Sequence, residues 1–131
     1  MKTIRLLAPV ALFAALSAAG CSSARDVEVT GEVKSASSTQ GKIFVEFFDV
    51  AGEGEDLELT SVHSVELGQL GTFNEVVPLE GDRILVRAIA DANGDSMCTE
   101  GEAWAEMEAA IEEDAANVAL DISVQPCPAG Q

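Results

Sequence analysis

Between residues 117 and 124 the chain strictly alternates. Val118, Leu120, Ile122 and Val124 fall on one side, and Asn117, Ala119, Asp121 and Ser123 on the other. Successive side chains of a strand point to opposite faces, so a run of this kind buries its apolar half only as a β-strand. The same period runs through most of the chain. Val27, Val29 and Val33 alternate with Glu28, Thr30 and Glu32. Lys42–Val50 places Ile43, Val45 and Phe47 on one face and Phe44 and Phe48 on the other, the pattern of a central strand covered on both sides. Leu57–Leu67 carries Leu57, Leu59, Val62, Val65 and Leu67 and reads as one bent strand or two short ones. Thr72–Val77 holds Phe73 and Val76. Arg83–Ala90, with Ile84, Leu85, Val86 and Ile89, is the clearest buried strand. Turn-forming residues separate these runs at Ser35–Gly41, Ala51–Asp56, Gly68–Gly71 and Pro78–Asp82. Turns about every ten residues fit an all-β antiparallel sandwich of about seven strands.

The seventh strand depends on Glu102–Ala116, which admits two readings. Trp104, Met107, Ile111, Ala115 and Val118 stand at helical spacing, and Ala and Glu dominate the stretch, both strong helix formers. The alternative is a strand over Ala103–Ile111, a turn at Glu112–Ala116 and then the last strand. The strand is favoured, because a sandwich needs that partner and its neighbours are strands.

The beginning of the chain has a different character. Met1–Arg5 carries Lys2 and Arg5, Leu6–Ala19 is apolar apart from Ser17, and small residues precede Cys21. This is the layout of an export signal, with an apolar stretch too short for a comfortable membrane span. Leu16-Ser17-Ala18-Ala19-Gly20-Cys21 resembles a bacterial lipobox, with Ala18 where Leu is commonest. The resemblance implies a signal peptide over residues 1–20, acylation of Cys21 and a lipidated tether over 21–25. The domain then occupies 26–131. Ser22 in place of Asp points, by the same resemblance, to the outer membrane of the cell envelope. The alternative is an ordinary secretory signal cut near Ala19. Two or more acyl chains anchor stably where one does not.

Charge narrows the partners. The 131 residues carry 23 acidic and 7 basic side chains, a net −16. Removing residues 1–20, which hold Lys2 and Arg5 and no acid, leaves 111 residues with 5 basic and 23 acidic groups, net −18. A phosphate backbone would be repelled, so nucleic acid is not an expected partner. Such a charge favours solubility, and a monomer is expected.

Three cysteines cannot all pair. With Cys21 acylated, Cys98 and Cys127 remain as an even pair for an oxidising compartment. A bridge would close about 30 residues and contribute about 3–4 kcal/mol. A zinc or redox pair is the alternative, weakened by the lack of any CxxC and by the distance to the single histidine.

One stretch carries oxygen ligands at metal-binding spacing. Asp91, Asn93, Asp95, Thr99 and Glu102 hold positions one, three, five, nine and twelve of a twelve-residue loop, with the Met97 carbonyl at seven. These are the ligand positions of an EF-hand loop, whose alternating oxygens converge on a hard cation. Ser96 stands at position six, where EF-hands have Gly. A left-handed Ser there costs about 1–2 kcal/mol. The loop is also similar to those of Cna-B-type repeats and transthyretin-like (prealbumin-like) domains. There, a strand ending in a hydrophobic-Ala-hydrophobic run enters the loop and a second strand leaves it. Val86–Asp91 and Gly101–Trp104 stand in those places, and Gly71–Asp82 resembles the turn-strand-turn that precedes them. The resemblance implies an immunoglobulin-like or transthyretin-like sandwich and a structural calcium, not a catalytic one. An acidic Asn-Gly turn that merely solvates is the plainer reading.

Enzyme motifs are sparse. His63 is flanked by Ser61 and Ser64, but adjacent strand residues face opposite ways, and a surface or loop histidine is expected. There is no GxSxG elbow, Walker loop or dinucleotide fingerprint. One Trp and no Tyr leave few stacking platforms for a sugar cleft. The expected function is therefore a non-catalytic envelope lipoprotein, a calcium-stabilised binding or structural module. The alternative is a small envelope enzyme or inhibitor using acidic loop residues.

Overall fold

The computed structural model describes residues 24–36 and 41–128. The expected leader, Cys21 and most of the Ser35–Gly41 turn lie outside them. Seven strands follow in order: β1 (Arg25–Ser35), β2 (Lys42–Ala51), β3 (Glu58–Leu67), β4 (Gly71–Leu79), β5 (Arg83–Asp91), β6 (Ala103–Ala110) and β7 (Ala115–Val124). Among the described residues, one 3-10 turn at Gly54–Asp56 lies between them. No helix among the described residues is long and apolar enough to cross a membrane.

The strands hydrogen-bond in the order β3-β2-β5-β6-β7-β1-β4 and curl into a sandwich-like near-barrel. One layer is β3-β2-β5-β6 and the other β7-β1-β4. They join where Ala103 and Trp104 pair with Val124 and Ser123. All pairings are antiparallel except β1 with β7, which run parallel from Glu28–Ala115 to Ser35–Ile122. Parallel neighbours need a long connection, and here the whole domain lies between the first strand and the last. The two outermost strands face each other across the remaining seam, where His63 on β3 meets Glu75 on β4 with Nε2 and Oε1 2.8 Å apart. His63 is thus a half-buried strand residue beside the Phe47 ring, with centroids 5.4 Å apart, and not a loop histidine.

The alternating residues form the core. Val27, Val29 and Val33 of β1 meet Ile43, Val45 and Phe47 of β2, the inward residues of β5, and Val118, Leu120 and Ile122 of β7. In the β1 row position 31 is glycine, and the Phe73 ring occupies the place of its missing side chain. β2 and β5 are covered on both sides. On the outer face Phe48, Val50 and Leu85 form a second apolar cluster. The Arg87 guanidinium lies 4.9 Å above the Phe48 ring, and its Nε donates to Glu106 at 3.0 Å.

Glu102–Ala116 is a strand and a turn, not a helix. β6 pairs with β5 from Arg83–Ala110 to Ile89–Trp104. That ladder outweighs a helix preference of a few tenths of a kcal/mol per residue. The hairpin closes with reciprocal bonds between Glu112 and Ala115, through Glu113 and Asp114 at φ 53° and 58°. Leu57–Leu67 resolves into one strand beginning at Glu58. It is bent by a bulge that sets His63 opposite Phe47 and Ser61 opposite Phe48. Pro78, expected in a turn, lies inside β4 opposite Asp26. β4 ends the strand order, and an edge strand tolerates a residue without an N–H.

Candidate cation site

β5 ends at Asp91 and β6 begins at Ala103. Carrying the Ile89–Trp104 register two rungs further places Asp91 beside Glu102, so the hairpin itself brings two carboxylates together. Both are buried, 7 % and 8 % exposed. Asp95 folds back over them from the loop, and one oxygen from each of the three lies within 4.8 Å of the others. No ion pair among the described residues involves any of them.

Main-chain N–H groups hold the carboxylates in place. Asp91 Oδ1 accepts from Gly94 at 3.0 Å and Asp95 at 3.2 Å, and its Oδ2 from Ser96 at 2.7 Å. Glu102 accepts from Ala92 at 2.7 Å and Thr99 at 2.8 Å. Asp95 accepts from the Met97 N–H at 2.9 Å, from Asn93 Nδ2 at 3.1 Å and from Thr99 Oγ1 at 3.3 Å. The Met97 N–H holds the Asp95 pKa below its ordinary value against desolvation, with smaller contributions in the same direction from the Asn93 and Thr99 bonds. Ser96 adopts φ 62°, a left-handed conformation that favours glycine. That conformation aims its N–H at Asp91 and stores about 1–2 kcal/mol of strain.

Of the six expected ligands, the structure gathers the carboxylates of Asp91, Asp95 and Glu102 and ties Asn93 and Thr99 to Asp95. Met97 joins through its N–H. The donor set is all oxygen, which fits a hard cation better than zinc or a soft metal. Two buried carboxylates and a third beside them, balanced among the described residues by hydrogen-bond dipoles and no cation, favour a bound positive charge. The cysteine sulfur of the loop is engaged elsewhere. Cys98 and Cys127 form a disulfide with Cα atoms 5.7 Å apart, tying the loop to the segment after β7.

Several contacts were not legible in the sequence. His63–Glu75 and Arg87–Glu106 each join residues on different strands. Trp104 Nε1 donates to the carbonyls of Pro126 at 3.0 Å and Gln125 at 3.3 Å. Only Arg87 carried a signal, as a charge in the middle of the most apolar strand. No known protein family, curated protein or solved structure matches this chain.

Proposed function

We propose that the chain is a non-catalytic cell-envelope lipoprotein whose β-sandwich is a binding or structural module stabilised by calcium. The observation that carries the calcium part is the convergence of Asp91, Asp95 and Glu102 with no basic partner among the described residues. Calcium takes six to eight oxygens, and Asn93, Thr99 and the Met97 carbonyl lie in the same loop to complete the set. In this reading calcium relieves the repulsion between three carboxylates and locks the β5–β6 connection. Leu16–Cys21 supports a lipid anchor at Cys21, with the outer membrane as the surface it enters.

The test is thermal unfolding of the full-length chain with calcium or with a chelator. With a dissociation constant of the extracellular class, about 10⁻⁴–10⁻³ M, about 10 mM calcium stabilises by roughly 1–3 kcal/mol. Asp95→Ala is expected to remove the shift, and Cys21→Ser to move the protein from the membrane fraction to the soluble one. A melting temperature indifferent to calcium refutes the cation site. Membrane retention of Cys21→Ser refutes the anchor.

A further inference from the structure

Past Val124 the chain leaves the sheet and continues as a strap, Gln125–Pro128, outside the strand ladder. Two attachments hold it. One is the Cys98–Cys127 bridge. The other is Trp104, whose indole N–H reaches the Gln125 and Pro126 carbonyls while Gln125 Nε2 donates to the Trp104 carbonyl at 2.9 Å. Trp104 stands beside Ile89 on β6, on the opposite face from the inward Ala88, and is only 8 % exposed. The strap meets the polar edge of the indole, so its position bears directly on how far water reaches that ring.

The bridge itself is open to reagents. It lines a groove of about 570 Å³ together with Gly101, Val124 and Pro126, and Val124 is 67 % exposed. Both cysteines are half-buried, and neither belongs to either apolar cluster. We propose that Cys98–Cys127 is a site of reversible thiol–disulfide exchange with a dithiol. Its reduction frees the strap from Trp104 while the seven strands stay paired. A thiolate of the dithiol attacks one sulfur of the bridge, the protein S–S bond breaks, and the other sulfur leaves as a thiolate and takes a proton. The second thiol of the reagent then attacks the mixed disulfide and closes the reagent's own disulfide. The second protein sulfur departs and is protonated. The protein gains two electrons and two protons, and the dithiol loses them.

The opening is local because the core is built without the strap. With the covalent tie cut, the strap lies outside the strand ladder and is held by a few hydrogen bonds that compete with water. None of this requires a cation in the loop.

Trp104 is the single tryptophan, so its fluorescence reads the strap directly. The experiment uses the full-length chain with Cys21→Ser, oxidised or treated with dithiothreitol without denaturant, and thiols are titrated to establish complete reduction. Acrylamide quenching of Trp104 is expected to rise at least about twofold, with emission moving to longer wavelength and the far-ultraviolet strand signal unchanged. Cys127→Ser is expected to behave like the reduced protein without any reductant. A bridge that resists dithiothreitol overturns the exchange site. Unchanged quenching after complete reduction overturns the release of the strap. Loss of the strand signal on reduction shows that the bridge holds the whole fold, and overturns the proposal too.

Discussion

Gly31→Ala isolates a single packing contact whose sign follows from geometry. Gly31 lies in β1 opposite Phe73 of β4 and Val118 of β7. A Cβ added there would stand 2.5 Å from Phe73 Cζ, 2.8 Å from Phe73 Cε1 and 2.7 Å from the Val118 carbonyl oxygen. The ring cannot swing freely away, because Phe73 is buried and packs edge-on against Phe47 with centroids 5.7 Å apart. The carbonyl belongs to the backbone of the parallel neighbour and moves only with that strand. Overpacking of this kind costs about 1–3 kcal/mol. Replacing glycine in a strand returns about 0.5–1 kcal/mol. The expected net loss is therefore about 0.5–2 kcal/mol, read as a lower urea midpoint at unchanged slope. In a double-mutant cycle with Phe73→Leu, the two changes should couple favourably by about 0.5–3 kcal/mol. A Gly31→Ala protein as stable as the parent, or more so, would refute the account of how Phe73 fills the β1 row.

Two further outcomes concern the loop. Ser96→Gly removes the left-handed strain of about 1–2 kcal/mol and adds the glycine entropy of about 0.5–1 kcal/mol. A gain of about 0.5–1 kcal/mol in chelator is expected by urea titration, and a loss sinks the strain argument. Asp95 has its folded pKa lowered from 3.8. Its hydrogen bonds therefore contribute stability that is fully present above the unfolded pKa and is lost as pH falls through the folded value. The stability difference between the parent and Asp95→Ala in chelator should hold steady above about pH 5 and shrink below about pH 4. An Asp95 carboxyl that titrates at or above 3.8 by nuclear magnetic resonance contradicts the hydrogen-bond pattern.

Strand identity could be read locally where alternation was clean, as in residues 27–33 and 118–124, or where a largely apolar run was bounded by turns, as in 43–50 and 84–90. It was hardest to read in Ala103–Ala110, where alanine serves either period. There the β5 ladder decided, not the local composition. The meeting of two loop carboxylates was legible because a hairpin converts spacing into position: Asp91 and Glu102 become neighbours once the two flanking strands pair. The disulfide followed from counting cysteines, conditional on export.

Composition and periodicity alone determined that this chain makes strands, which face of the clearest ones turns inward, and where an acidic loop interrupts them. Those properties reside in the spacing of neighbours along the chain. Tertiary structure alone decided that β1 lies parallel to β7, that His63 and Glu75 meet across the seam, that a glycine makes room for Phe73, and that Trp104 lies against the segment after β7. Each joins residues tens of positions apart, and the energy of such a contact exists only after the chain has closed on itself.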